Sequence, residues 1–231
     1  MERVVWFLLY LVFASVYAYS SYSSRAFMAD LPIAKGYGGL YKFLTSWNLH
    51  LQTLYYYYAL LATMYVLISK AERSILLTIR DYIFGALVFP IGMYVGVIFW
   101  AMYNFDREVI YPRSLDQYVP VVINHVWHTA VLVFPIIESL LVRHDKFPSR
   151  SKGYVGLFIF KLFYLIWVFY IGLYHNLWIY PFMRVMNNTQ FTIFILVSII
   201  IDAACFEVGY RLNRVKNPGN EGSTAEKVKG Q

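Results

Sequence analysis

Six apolar stretches, each long enough to cross a lipid bilayer, divide this 231-residue chain and leave little between them. They run roughly from Val4 to Tyr19, Phe43 to Ser69, Ile79 to Tyr103, Tyr118 to Val142, Gly153 to Tyr174 and Phe191 to Tyr210. A hydrocarbon core of about 30 Å takes about 20 helical residues, and backbone groups inside it must bond within their own segment. The stretches therefore read as helices. The fold class expected is all-α, a polytopic membrane helix bundle of about six transmembrane helices. Composition agrees, with 59% hydrophobic and 14% charged residues against about 25% charged in soluble domains. The net charge of +7 arises from basic residues scattered at the ends of the apolar runs, which offers nucleic acid no basic stripe to follow. Cys205, the single cysteine, lies within an apolar run, so neither a disulfide framework nor a cysteine metal site is available.

Charge also orients the bundle. With the N-terminus inside, thirteen Lys and Arg fall on the inner side, and six fall outside: Arg25, Lys35, Lys42, Arg107, Arg113 and Arg184. Positive residues collect on the cytoplasmic side, so both the N- and C-termini are expected to be cytoplasmic. Residues 1–214 are expected to form one transmembrane domain. Residues 215–231, rich in Gly, Lys, Glu, Ser and Thr, read as a disordered cytoplasmic tail. The first stretch, with Arg3 before it and small residues near Val16 to Ala18, also fits a cleavable signal peptide. Its length and the lack of a polar segment after it favour a retained helix. The sequon Asn187-Asn188-Thr189 falls in the last outer loop, but its closeness to a helix argues against occupancy. No internal repeat is evident.

Polar residues inside spanning helices are costly and mark candidate sites. Thr45, Asn48 and Gln52 follow i, i+3, i+7 spacing on the second helix and share a face, where packing glue between helices is the simpler reading. His50 falls off that stripe and can bond a backbone carbonyl. The fourth helix carries Asn124-His125-Val126-Trp127-His128-Thr129, in which Asn124 and His128 share a face and His125 and His128 can be neighbours. A neutral imidazole moves protons near neutrality. Metal is the rival reading of the two histidines, but His144 and His175 lie at helix ends remote from them, and no metal or other cofactor is expected. Asp202 can supply a carboxylate, Glu207 reads as the i, i+4 partner of Arg211, and Glu138 as a solvated or paired group beside Arg143. Tyr55 to Tyr58 form a run whose hydroxyls need partners, either a polar-lined pocket or core packing. Gly36 to Gly39 form a flexible loop before the second helix.

At these residues the chain resembles the family of androgen-induced protein and androgen-dependent tissue-factor-pathway-inhibitor-regulating protein, multi-pass membrane hydrolases. The likeness is densest from Phe105 to Arg113, through Leu115-Asp116 and Val119-Pro120 to the Asn124–Thr129 block. It recurs at Gly38-Gly39, Lys42-Phe43-Leu44-Thr45, Phe147-Pro148-Ser149-Arg150, Trp178-Ile179-Tyr180-Pro181 and Leu212-Asn213. The resemblance implies hydrolysis of fatty acid esters of hydroxy fatty acids by a threonine nucleophile and a histidine. By motif these are Thr45 and His128. Ser46 and Trp47 depart from a more apolar family pattern, Trp127 takes a methionine-like position, and Tyr210 stands at an acidic one.

The chemistry is sound, since a threonine hydroxyl needs a positioned base to become a nucleophile. Asn48, Asn124 and tyrosine hydroxyls are candidate donors to the developing oxyanion. The lipid ester would enter from the bilayer, among membrane lipids. The alternative is a non-enzymatic membrane carrier or regulatory protein, and neither protein partners nor the particular membrane can be read. One tension remains. Thr45 follows Lys42 by three residues and His128 follows Asp116 by twelve, depths that differ by about 13 Å. Either Lys42 snorkels or the glycine loop dips inward. His125, about 4.5 Å shallower, is the reserve base.

Overall fold

The apolar stretches are helical, and local chemistry sets their ends. A computed structural model describes residues 2–28, 30–71 and 74–217. It contains six helices long and apolar enough to span a membrane: α1 (Glu2–Ser24), α2 (Leu44–Ser69), α3 (Ile75–Val109), α4 (Val121–Leu141), α5 (Arg150–Tyr174) and α6 (Asn188–Lys216). Helix α3 starts at Ser74, whose hydroxyl accepts the Leu76 N–H at 3.2 Å. Helix α6 opens with a capping box, Asn187 accepting from the Gln190 N–H at 2.9 Å and Gln190 returning the contact at 3.0 Å. The Asn187 side chain of the sequon is thus the cap of a helix. Pro120 precedes α4, where a missing N–H costs nothing.

Helix α1 belongs to the core. Tyr10, Phe13 and Tyr17 are buried, Phe13 stacks on Phe134 at 4.0 Å, and the Tyr17 hydroxyl donates to Gln52 at 2.6 Å. Taking α1 away would uncover Gln52 and Glu138.

Two helices depart from regular α geometry. In α3 residues Phe84–Val88, and in α4 residues Val126–Ala130, form a π turn, a local widening often found at functional sites. One turn further along α4, Pro135 has no N–H to give the Val131 carbonyl. Gln52 supplies the missing donor, its Nε2 lying 2.8 Å from that oxygen. The same contact needs Gly92 on α3, where a Cβ would fall 2.3 Å from the Val131 oxygen and 2.6 Å from Gln52 Nε2. Three helices therefore meet at one hydrogen bond.

The opposite end of the bundle holds a buried polar network. Glu138 is fully buried and accepts from the Tyr10 hydroxyl at 2.7 Å and from Tyr55. Of the two roles expected it is paired and not solvated, with these hydroxyls and with His144 Nε2 at 3.6 Å, while Arg143 pairs with Asp145 at 2.8 Å. The tyrosine donors explain the inward turn, since a buried carboxyl must be hydrogen-bonded. Asp81 collects Arg80 at 2.7 Å, His144 Nδ1 at 3.0 Å and the Lys146 N–H at 2.9 Å. Burial holds the His144 imidazole below its ordinary pKa, although Asp81 pulls the other way. Of the tyrosine run, Tyr55 and Tyr56 pack in the core and Tyr58 donates to the Leu76 carbonyl at 2.9 Å. Core packing is their role. Lys216 donates to the Leu140 and Val142 carbonyls at 2.7 and 2.8 Å, so α6 continues past residue 214 and ties down the end of α4. Residues 218–231, most of the expected tail, lie outside the described residues.

Gly92→Ala should lower stability by about 1–3 kcal/mol through the forced shift. Gln52→Leu should cost a similar amount, about 1–3 kcal/mol, by orphaning the Val131 carbonyl. Thermal unfolding of detergent-solubilised protein checks both, and a wild-type melting curve for either variant would contradict the three-helix contact.

Candidate active site

His128 stands in the π turn of α4, 5% exposed. Its Nδ1 lies 2.8 Å from Asn124 Oδ1 and 3.1 Å from the Asn124 carbonyl. A backbone carbonyl only accepts, so Nδ1 carries the proton whichever way the Asn124 amide is turned. The lone pair of the neutral ring then sits on Nε2. Phe99 of α3 stacks flat on the imidazole, with centroids 3.4 Å apart and planes 7° from parallel. One rotamer of the ring is held on both sides.

Thr45 is the second residue of α2. The N–H groups of a first helical turn have no intrahelical acceptor, and among the described residues none of the backbone carbonyls takes the Thr45 N–H. The Tyr41 carbonyl, four residues back, is instead taken by the indoles of Trp47 at 2.7 Å and Trp167 at 3.0 Å. The segment before α2 folds against the bundle as short 3-10 turns, Pro32–Ala34 and Gly39–Lys42, with Gly38 at φ +80°. Lys42 does not snorkel. It is 5% exposed, and its Nζ donates to the Lys35 carbonyl at 2.8 Å. Burial, helped by the nearby Arg184, pushes its pKa below the usual lysine value. Lys42 thus packs inward with the turns before α2, and Thr45 and His128 line the same cavity.

Both residues line one cavity of about 640 Å³, within the range of small-molecule sites, about 300–1,000 Å³. Its wall includes Leu49, Leu115, Trp127, Trp178 and Ile179. The Trp127 ring lines it, but its Nε1 is fully enclosed by protein and has no partner. Tyr111 also faces the cavity, and burial pushes its phenol up to about 12, which keeps it protonated as a donor.

A second, narrower cavity of about 130 Å³ opens between α3, α5 and α6. Thr45, Phe99, Ile110 and Tyr180 belong to the walls of both. The second is lined mainly by apolar side chains, with Lys161 and Asp202 paired at 2.9 Å on its wall. The Lys161 ammonium lies 3.7 Å over the Tyr94 ring, and the Tyr94 and Ser198 hydroxyls bond at 2.7 Å.

The other candidates separate. Asn124 orients His128. Asn48 is fully buried and accepts from Gln52 at 3.2 Å, away from the cavity wall, with its Nδ2 unpartnered. Asn48 and Gln52 therefore belong to the interhelix contact, and Thr45 alone of that stripe reaches the cavity. His125 is exposed, bonds Thr129 Oγ1 at 3.0 Å and stacks on Trp100. It does not line the cavity. His50 bonds the Ser46 carbonyl at 2.7 Å, Asp202 holds Lys161, and Glu207 pairs with Arg211 at 3.0 Å and Arg150 at 2.5 Å. Tyrosine hydroxyls were candidate donors as a class, but nothing in the sequence singled out Tyr111 or the Thr45 N–H, since an aromatic near a membrane surface is ordinary.

Residues 5–214 match the family model described as FAR-17a/AIG1-like protein. The chain belongs to this family. Curated relatives of this FAR-17a/AIG1-like chain include the androgen-induced gene 1 protein of Homo sapiens, 33% identical over 80% of each chain. The androgen-dependent TFPI-regulating protein of Mesocricetus auratus is 34% identical over 78% of each. A membrane protein of Schizosaccharomyces pombe, UPF0641 membrane protein PJ4664.05, is 22% identical over 78% of each. No solved structure matches the chain.

In this FAR-17a/AIG1-like bundle the Lys161–Asp202 pair should behave as a buried ion pair. Asp202→Ala, which strands the lysine, should cost about 3–5 kcal/mol, and the double change Lys161→Met with Asp202→Leu should recover most of it. Unfolding midpoints of the three proteins decide the matter. A single variant as stable as wild type would mean that the pair is solvated.

Proposed function

We propose that this membrane protein hydrolyses fatty acid esters of hydroxy fatty acids, with Thr45 as nucleophile and His128 as its base. The observation that carries the reading is that Thr45 and a histidine with a fixed tautomer line the same cavity among the apolar helices. In this scheme His128 Nε2 takes the Thr45 hydroxyl proton as Oγ attacks the ester carbonyl. The carbonyl oxygen becomes an oxyanion, with the Thr45 N–H at the positive end of α2 and the Tyr111 phenol as available donors. Collapse expels the alkoxide of the hydroxy fatty acid, which takes the proton from the imidazolium. Water, deprotonated by His128, then attacks the acyl-threonine, releasing the fatty acid and restoring both side chains. The second cavity, which shares Thr45 with the first, suits the end of an acyl chain.

Purified Thr45→Ala and His128→Ala proteins should each lose at least about 10³-fold in kcat/KM, within the usual reach of nucleophile and base removal. His125→Ala should remain within about two-fold of wild type. A fluorophosphonate probe should label the wild-type protein and not Thr45→Ala. Near-normal ester hydrolysis by both Thr45→Ala and His128→Ala would sink the proposal, and a carrier or regulator would give neither turnover nor specific labelling.

A further inference from the structure

Six Lys and Arg lie at the end of the bundle where α2 and α4 begin, and two of them are neutralised locally. Arg107 pairs with Asp116 at 2.6 Å and Arg113 with Glu108 at 3.7 Å. The other four, Arg25, Lys35, Lys42 and Arg184, all contribute to the wall of the 640 Å³ cavity. Among the described residues no Asp or Glu lines that cavity. Among the described residues none of the four takes part in an ion pair. Like charges gathered around one hollow repel one another, and nothing in the packing of the helices requires them there.

Lys42 shows what they are for. Arg25, Lys35 and Arg184 are exposed and can be hydrated, whereas Lys42 is buried, gives one hydrogen bond to a neutral carbonyl and lies 5.5 Å from the centre of the Phe43 ring, with no carboxylate among these contacts. An ammonium has three donors. A buried cation without a counter-ion is unfavourable, and here the contents of the cavity are the one place from which an anion can come. Lys42 precedes the nucleophile by three residues, so an anion bound to it is held close to Thr45. A lipid ester with a free carboxylate carries both groups on one molecule.

We propose that the cavity recognises its ligand by a free carboxylate, with Lys42 as the buried anchor and Arg184 beside it. The carboxylate end of the lipid lies among the basic residues and the ester reaches inward to Thr45 and His128. Esters whose acid end is blocked are rejected because they leave the Lys42 charge unanswered. The placement of the ester rests on the hydrolase reading above; the anion site does not.

The experiment therefore measures binding rather than turnover. Thr45→Ala protein in neutral detergent is titrated with a tritiated long-chain hydroxy fatty acid and with its methyl ester. The acid should bind about 10-fold more tightly, the worth of a charge-assisted hydrogen bond. Adding Lys42→Met should remove that advantage while moving methyl-ester affinity by less than about two-fold. Lys42→Arg should restore most of it. Arg184→Gln, at an exposed position, should weaken the acid in the same selective way and serves if Lys42→Met does not fold. Equal affinity for the two probes, or parallel loss of both in the folded Lys42 or Arg184 variants, would overturn the proposal. So would a long-chain alkyl phosphate that outcompetes the acid, because the site would then be one for phosphate heads. An inactive wild-type enzyme that still shows the selective loss would remove the hydrolase reading and leave the carboxylate site standing.

Discussion

The hydrogen bond from Gln52 to the Val131 carbonyl is the contact on which the centre of this bundle depends. A proline in a spanning helix frees a carbonyl where no water can answer it, so another helix must supply a donor. Gln52 does so, accepting in turn from Tyr17 of α1 and donating to Asn48. Gly92 lets α3 approach the same point. Four helices are thus held in one relative placement by one unmet backbone group. That placement brings the start of α2 against the π turn of α4, where Thr45 and His128 meet the same cavity.

The two ends of the bundle use ionisable groups differently. Where α3 ends its first turns and α4 finishes, Asp81, Glu138 and His144 are enclosed by one another and by Arg80 and two tyrosines, so that charges of both signs are present within the protein. Where α2 and α4 begin, Arg25, Lys35, Lys42 and Arg184 line a hollow whose wall, among the described residues, holds no carboxylate. The first arrangement is a fastening between helices. The second is an incomplete electrostatic set, and incompleteness around a cavity is what a ligand-binding region requires.

The sequence made the candidate pair legible only through type and spacing. Asn124 and His128 at i, i+4 on one helix had to be neighbours, and they bond. Thr45, Asn48 and Gln52 share a helical face, but a face does not say which of its members meets a cavity and which meets another helix. Pro135 decided that for Gln52. Glu138 could not be placed either, because its partners Tyr10 and Tyr55 are 128 and 83 residues away along the chain. For Lys42 the sequence left two outcomes open, a lysine reaching for the surface or a glycine loop dipping inward. The 3-10 turns before α2 carry it inward and give it the Lys35 carbonyl.

Sequence alone determined that six helices are long and apolar enough to cross a membrane and roughly where they lie, because length and apolarity act locally on the backbone. It also put two histidines and an asparagine within one turn. Only the tertiary structure decided which faces look inward. In water a helix reveals its buried side by polarity, but lipid is as apolar as a protein core, so the outward and inward faces of these helices read alike. The cavity, the cations around it and the presence of Thr45 and His128 on one cavity wall follow from how the helices pack, in which polar contacts between residues distant in the chain take part.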